Sequence, residues 1–218
     1  MTLQTAINPA SEQTRNDLIA AGIAMFGELG YDGASVRALT RLAGVNIAAV
    51  KYHFGSKEEF FDACVDHVSE TLAVAGPRKF LPKDISAAER LSRSDAGHAL
   101  RAVVRSVIES AFDPERAEFV RFMHSQVMIE GRGQERFIKT TLQQHHQIFS
   151  ALVARAEDLA PDADTTRTRA LAIMIQTISL VRSQKVLTDL LGWASPQEQI
   201  DNLVDAIYPT SNFILQDH

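Results

Sequence analysis

The sequence contains a single cysteine, Cys64, and no apolar run that approaches the length of a membrane span. One cysteine excludes a disulfide within the chain and a metal cluster built from several thiolates. A transmembrane helix needs about 20 consecutive apolar residues. Residues 1–16 lack a basic flank followed by an apolar stretch, so we expect no secretory signal, no membrane partner and a cytoplasmic location.

The motifs of common enzymes and metal sites are also missing. The sequence has no Gly-x-Ser-x-Gly elbow, no phosphate-binding loop and no dinucleotide fingerprint, so we expect no enzyme and no catalytic residue. His145 and His146 are adjacent, and adjacent residues on a helix point about 100° apart. Because a His-Glu-x-x-His pattern is absent as well, we expect no metal and no cofactor.

The chain also lacks an excess of positive charge, which is usual in nucleic-acid-binding domains. The chain has 22 lysines and arginines against 27 acidic residues, a formal net charge of -5. Net charge therefore argues against nucleic acid as a partner. Any case for DNA must depend on where the individual charges lie.

Strand signals are nearly absent, and helical periodicity recurs along the whole chain, which predicts an all-α protein. Gly30 is expected to supply a left-handed cap, and Pro209 is expected to kink or end the last helix. Polar residues 77–94 predict a domain border, with one domain at 11–76 and another at 77–218. The predicted helices cover 11–29, 36–43, 47–53, 57–75, 95–112, 116–130, 134–159, 164–191 and 196–217.

Two short helices joined by a glycine-containing turn predict a helix-turn-helix, whose second helix enters the major groove of DNA. Ser35 and Asn46 are the expected N-caps of these helices. The small core that fixes their angle is expected to consist of Leu39, Ala43, Val45, Val50 and Phe54.

The first turns of the second short helix then point Ile47, Ala48 and Lys51 outward. An exposed apolar opening is unfavourable in water but can read the methyl group of thymine. Around this face lie groups suited to phosphates, namely Arg37, Tyr52, His53 and Lys57. Lys57 begins a helix whose first amide groups also favour an anion.

The run from Thr14 to Val68, which includes AMFGELGYDGASVRALTRLAGVNIAAVKYHFGSKEEFF, resembles the amino-terminal domain of the TetR/AcrR regulators and covers about a quarter of the chain. The resemblance implies a ligand-responsive transcriptional repressor that acts as a homodimer on a palindromic operator of double-stranded DNA. Lys51 replaces the aromatic residue common in the family, which suggests a guanine or phosphate partner. The resemblance implies that Tyr52, His53 and Lys57 contact phosphates and that Arg37, Ile47, Ala48 and Lys51 approach bases. With Ser35 added, the residues predicted to bind DNA are Ser35, Arg37, Ile47, Ala48, Lys51, Tyr52, His53 and Lys57.

The same resemblance implies that residues 77–218 form a helical bundle that binds a small-molecule effector and dimerises. Two apolar stripes run along residues 171–191, and a helix that is apolar on both sides is expected to lie between its own core and a partner. We therefore expect a dimer interface formed by residues 164–191 and 196–217. The last helix would contribute Ile200, Leu203, Val204, Ile207 and Tyr208.

The run from Gln176 to Trp193 is similar to the carboxy-terminal domain of the CecR-type subgroup, which implies an uncharged or weakly polar effector. Methionine and phenylalanine provide an adaptable apolar lining, and a few polar groups orient a ligand. A stripe of such residues is also what an ordinary core contains. The predicted effector-binding residues are Phe119, Phe122, Met123, His124, Met128, His146, Phe149, Met174, Gln176 and Arg182.

Two other functions remain open from the sequence. A transcriptional activator would have the same DNA-binding residues. A helical protein-interaction module would lack DNA binding altogether and would show no salt-dependent affinity for a duplex.

Overall fold

The computed structural model of the chain describes residues 9–75, 77–193 and 195–213. These residues form α-helices and turns with no strand among them, which confirms the all-α class. The helices are α1 (Pro9–Gly33), α2 (Val36–Leu42), α3 (Ala48–Phe54), α4 (Lys57–Ala75), α5 (Ile85–Glu89), α6 (Arg93–Phe112), α7 (Ala117–Met128), α8 (Arg132–Phe137), α9 (Gln143–Glu157), α10 (Asp164–Arg182), α11 (Gln184–Leu191) and α12 (Pro196–Ile207).

Short irregular helices complete the described chain. Pro77–Phe80 and Thr210–Asn212 are 3₁₀ turns, and Ile138–Leu142 is a π-helical segment between α8 and α9. Within the described ranges, no helix is both long enough and apolar enough to cross a membrane.

The packing divides the chain into two units. The first consists of the described residues up to Glu70 together with Arg121–Arg136, and the second contains Thr71–Val120 and the residues from Phe137 onward. The first border between the units therefore falls within α4, near the border predicted from sequence. The first unit also takes in most of α7 and nearly all of α8, which the sequence analysis assigned to the second domain.

An aromatic cluster forms the core of the first unit. The rings of Phe26 and Phe61 lie 5.2 Å apart, and Phe122 of α7 packs against Phe61 at 5.9 Å. Gly27 permits this approach, because a Cβ atom there would lie 3.2 Å from the backbone of Phe122. The buried amide of Gln126 donates to the Phe122 carbonyl at 3.2 Å, so α7 is fixed by polar as well as apolar contacts.

The core of the second unit is formed by the apolar faces of α6, α9, α10 and α12. Two ion pairs on one side join α6 to α12. Arg101 pairs with Asp205, and the Nη2 atom of Arg105 lies 2.6 Å from Asp201 Oδ1. The spacing of four residues on both helices places the two pairs on neighbouring turns.

Two of the long helices predicted from periodicity are interrupted. The predicted helix 134–159 consists of α8, the π-helical segment and α9, and it starts two residues earlier. The predicted helix 164–191 is divided at Ser183, whose hydroxyl donates to the Ser179 carbonyl at 3.1 Å. Such back-bonding from a serine bends helices, which hydrophobic periodicity does not record.

The last helix is shorter than predicted. α12 begins at Pro196 with Ser195 as its N-cap, as expected, but it ends at Ile207. Tyr208 has φ -141° and ψ 81°, because a residue before proline avoids the helical region. The predicted effect of Pro209 is thus confirmed, whereas residues 208–213 lie outside the helix and 214–217 lie outside the described residues.

The apolar face of α12 is used inside the second unit. Its residues are buried in the chain's own core, so they do not offer the exposed surface that a partner subunit would cover. The predicted role of this face in a dimer interface is therefore wrong for the residues named from sequence, which are Ile200, Leu203, Val204, Ile207 and Tyr208.

Gly30 has a positive φ, as the sequence predicts, but not as a left-handed cap. Its φ is 71° and its ψ is 176°, so α1 is kinked at this residue and a short helical turn follows it to Gly33. This extended conformation with positive φ is essentially confined to glycine. A Cβ atom at this position would also lie 3.0 Å from Ile129 Cγ2 of the segment that follows α7.

Candidate nucleic-acid interface

The turn between α2 and α3 is built by local capping groups. Ser35 Oγ accepts a hydrogen bond from the Ala38 amide at 3.2 Å, which caps α2. Gly44 ends that helix region with φ 69°, and Asn46 Oδ1 accepts from the Ala48 amide at 2.9 Å. These caps set the two short helices at the start and end points that the sequence predicts to within about one residue.

A small core holds α2 and α3 together. Leu39 and Val50 are buried, whereas Ala43, Val45 and Phe54 are half-buried. The Phe54 ring stacks on Phe60 of α4 with 4.6 Å between centroids. The five residues predicted for this core thus lie at least partly inside the first unit, and α4 completes the packing.

The outer face of α3 carries unusually exposed apolar and aromatic groups. Ile47 is 55% exposed and Tyr52 is 80% exposed, while Ala48 and Lys51 are also exposed. A large apolar or aromatic side chain is normally covered in a folded protein. The first turn of α3 therefore presents an apolar surface with a lysine at its edge.

Exposed cations lie beside this surface, two on α2 and one on α3. Arg37, Arg41 and Lys51 make no hydrogen bond or ion pair through their side chains within the described part of the chain. Arg41 and the 56% exposed Leu42 were missed by the sequence analysis. The spacing of four residues between Arg37 and Arg41 could have identified the second arginine, because such residues share a helix face.

His53 is less accessible than its neighbour. The residue is half-buried, and its ring meets Tyr52 edge to face with 4.9 Å between centroids. The ring centroids of His53 and Phe54, the next residue, are 6.2 Å apart. The His53 ring thus contacts the rings of both Tyr52 and Phe54 at the end of α3.

Lys57 has partners inside the first unit. Its Nζ atom donates to the carbonyl oxygen of Tyr31 at 2.6 Å and lies 4.4 Å from the centroid of the Tyr31 ring. Burial lowers the pKa of Lys57, with Asp32 opposing that change and Arg132 adding to it. Burial also raises the pKa of the Tyr31 hydroxyl.

The residues predicted to bind an effector are divided between the two units. Phe122 and Phe149 are buried core residues, each in a different unit. Phe122, Met123, His124 and Met128 belong to the first unit, and the other six belong to the second.

Among those six, His146 Nε2 lies 2.9 Å from the Arg167 carbonyl oxygen, Met174 packs against the core and Gln176 is exposed. The side chain of Arg182 lies outside what the structure describes. A cavity of about 120 Å³ at the end of α1 and another of about 270 Å³ beside α5 are lined by none of the ten predicted residues.

Metal binding finds no support in the described ranges. They contain no group of three or more His, Cys, Asp or Glu side chains that could hold an ion. Cys64 is fully buried, and burial strongly raises the pKa of its thiol. The thiolate form that binds metals and reacts is therefore disfavoured.

Two short helices at a capped glycine turn, with an exposed reading face on the second, define a helix-turn-helix DNA-binding protein. The model of the family "Bacterial regulatory proteins, tetR family" matches residues 18–64. The model "HTH-type transcriptional dual regulator CecR, C-terminal domain" matches residues 96–217. The chain therefore belongs to the TetR/AcrR family of transcriptional regulators, which are DNA-binding proteins and not enzymes.

A curated relative is similar over the DNA-binding region. The HTH-type transcriptional dual regulator CecR of Shigella flexneri is 45% identical over 67 residues, which are 29% of this chain and 30% of that protein. The match thus spans less than a third of the relative's length.

Solved structures share the fold over most of the chain. NalD of Pseudomonas aeruginosa, a repressor of the MexAB-OprM multidrug efflux pump, has a TM-score of 0.61 and 21% identity, covering 93% of this chain and 98% of that one. AibR in complex with isovaleryl coenzyme A and operator DNA has a TM-score of 0.60 and 16% identity, covering 90% and 98%.

Proposed function

We propose that the protein is a transcriptional repressor that binds a two-fold operator as a homodimer and releases it when a small molecule binds. The observation that carries the DNA-binding part is the exposed first turn of α3 beside cations that have no partner among the described residues. The Ile47 side chain, which is 55% exposed, would be shielded from water by a base edge.

Each exposed side chain is suited to contact a particular part of the DNA. Ile47 and Ala48 would contact thymine methyl groups, and Arg37 and Lys51 would donate to guanine or phosphate oxygens. Ser35, Tyr52 and His53 are proposed to contact the phosphate backbone, where hydroxyl and ring N–H groups serve as donors. Lys57, which the family resemblance places in the same group, differs from them because its ammonium group already has the Tyr31 carbonyl as a partner.

The test begins with a duplex that the full chain selects from a random library. Ile47→Ser should reduce the preference for the selected duplex over a mixed-sequence duplex by about tenfold, because serine cannot make the apolar contact with a thymine methyl group. Leu159→Ser, a change at an exposed position of the second unit, should leave that preference unchanged. Equal binding of all duplexes by the unmodified chain would contradict sequence-specific recognition.

The homodimer is proposed to form through α10 and α11. On α10, Ile173 and Thr177 face the core, whereas Leu171 is 36% exposed. On α11, Val186 and Leu190 are 56% and 77% exposed. This distribution supports an interface on the side of α10 that carries Leu171 and on the exposed apolar side of α11. A two-fold dimer would present two α3 helices to half-sites roughly 34 Å apart.

The effector is proposed to be an uncharged or weakly polar small molecule. The match to the CecR C-terminal domain supports a ligand-binding second unit, and AibR binds isovaleryl coenzyme A. Met174, which packs beside the core of this unit, is an adaptable lining residue. Among the residues predicted from sequence, those of the second unit remain proposed contacts, namely Phe119, His146, Gln176 and Arg182, and Phe149 would act from the surrounding core.

A panel of uncharged aromatic compounds, with isovaleryl coenzyme A as a charged comparison, tests the effector. A true effector should raise the Tm of the protein by binding its folded state. It should also weaken binding of the selected duplex by about five- to 150-fold, the range of typical allosteric coupling. Compounds that raise the Tm and leave DNA affinity unchanged would contradict induction.

A reporter gene placed behind the selected duplex separates repression from activation. Expression should fall when the protein is produced and recover when an effector is added. A rise in expression on production of the protein would instead identify an activator.

A further inference from the structure

A cavity of about 120 Å³ lies within the first unit, where the end of α1 meets the segment that joins α7 to α8. The exposed side chains of Leu29 and Ile129 and the buried Tyr31 form its apolar wall. An apolar cavity of about 150 Å³ holds benzene, so this one has room for a ligand of about five non-hydrogen atoms.

One polar side chain of the cavity wall, Gln126, is almost completely buried. It is 1% exposed, and its Nε2 atom lies 2.7 Å from Ser125 Oγ and 3.2 and 3.4 Å from the carbonyl oxygens of Phe122 and Phe26. These three acceptors hold the nitrogen on one side, so Oε1 points the other way. Within the described ranges Oε1 accepts no hydrogen bond, which leaves a nearly buried acceptor at the cavity.

Two carboxylates line the same cavity, and its wall contains no lysine, arginine or histidine. Asp32 Oδ1 pairs with Arg132 at 3.3 Å, whereas Asp32 Oδ2 faces Gly131 of the wall. The second carboxylate belongs to the exposed Glu130. The wall therefore offers hydrogen-bond acceptors and negative charge to a ligand.

Two glycines keep these acceptors accessible. A Cβ atom built at Gly131, which has φ 143°, would lie 2.6 Å from Asp32 Oδ2. One built at Gly133 would lie 3.0 Å from Gln126 Oε1 and 2.7 Å from Tyr31 Cβ. A side chain at either position would thus occupy the space in front of an acceptor.

We propose that this cavity binds a short alkylammonium ion, whose ammonium group donates to Gln126 Oε1 and Asp32 Oδ2 and whose carbon chain covers Leu29 and Ile129. An ammonium group has three donors and no acceptor, which matches a wall of acceptors. The carboxylates repel an anion, and a wholly apolar ligand leaves the Gln126 oxygen unpaired. The site does not rest on the proposed function and differs from the proposed effector, because its ligand is a cation bound in the first unit.

Thermal unfolding of the full chain tests whether a cation is recognised. The probe is n-butylammonium chloride at constant pH and ionic strength, and 1-butanol is its neutral counterpart of the same length. The ammonium compound should raise the Tm with a saturable dose dependence, because it binds the folded state. Equal effects of the two compounds would overturn the proposal.

Amide chemical shifts of the isotopically labelled full chain locate the site. Titration with n-butylammonium should shift the resonances of residues 29–33 and 126–134, which include the cavity wall. Asp32→Asn, which keeps the shape of a half-exposed side chain, should weaken this binding by about fivefold. Glu28→Gln is the matched control, since it removes one negative charge from an exposed position of α1 outside the wall.

Two outcomes of the titration would overturn the proposal. Equal weakening by Asp32→Asn and Glu28→Gln would show that the cation is attracted only by the general negative charge of the protein. Shifts of equal size along the whole chain would show binding without a site.

A third compound identifies the source of the ammonium group. N-acetyl-lysine methylamide carries the same ammonium chain on a peptide backbone. Binding as tight as that of n-butylammonium would assign the site to a lysine side chain of a protein partner, and binding at least tenfold weaker would assign it to a free amine. Absence of binding by both compounds would overturn the proposal and leave the proposed function untouched.

Discussion

At the scale of single residues, glycines decide where side chains can enter the core. Gly97 on α6 shows this most clearly, because a Cβ atom built there would lie 2.0 Å from Phe213 Cγ. Phe213 is 2% exposed and stacks on Tyr208 with 5.8 Å between centroids. The absence of a side chain at Gly97 therefore makes room for the segment that follows α12.

Gly97→Ala should destabilise the protein by about 1–3 kcal/mol, because an added methyl group overpacks a filled site. Urea denaturation followed by circular dichroism measures the change. Phe213→Ala removes the clashing ring, so adding Gly97→Ala to it should cost less than in the unmodified chain. An equal cost in both backgrounds would show that the ring does not fill the space above Gly97.

At the scale of elements, charged pairs connect helices that are distant in sequence. The hydrogen bond from Arg105 holds the pKa of Asp201 below its usual range, and Gln197 contributes in the same direction. A carboxyl group with a depressed folded pKa stabilises the fold above its unfolded pKa. That contribution is lost as the pH falls through the folded pKa.

Asp201→Asn should therefore lower the Tm at neutral pH by more than it does in acid. The difference in Tm between the two proteins should shrink as the pH falls below the unfolded pKa of aspartate, about 3.9. Thermal unfolding over a pH series measures this difference. Asp164→Asn, which removes a carboxylate from an exposed ion pair within one helix, is the control. A difference in Tm for Asp201→Asn that does not change with pH would exclude the ionised pair as its cause.

At the scale of the whole molecule, the proposed dimer determines how DNA is bound. Leu190→Asp should increase the monomer fraction, since a charge would replace a 77% exposed leucine of the proposed α10–α11 surface. Sedimentation velocity at several concentrations measures the change, and binding to a duplex with two half-sites should weaken. Leu159→Asp should leave both unchanged, and a Leu190→Asp variant that remains dimeric would place the interface elsewhere.

The sequence by itself determined the local features of this protein. The all-α class, the capped turn between α2 and α3, the exposed Ile47 and the end of α12 before Pro209 follow from periodicity, capping groups and backbone sterics. Each of these depends on residues close together along the chain. The family resemblance added the class of function, which the matches to residues 18–64 and 96–217 confirm.

Only the tertiary structure decided which face each element buries and which distant residues meet. It placed the apolar face of α12 in the chain's own core, moved Phe122 into the aromatic core of the first unit and joined Lys57 to Tyr31. An apolar stripe indicates that a surface must be covered but not by what. The sequence likewise shows that a lysine carries a charge but not which group it contacts. The spacing therefore could not predict that Lys51 is exposed whereas Lys57 is hydrogen-bonded within the first unit.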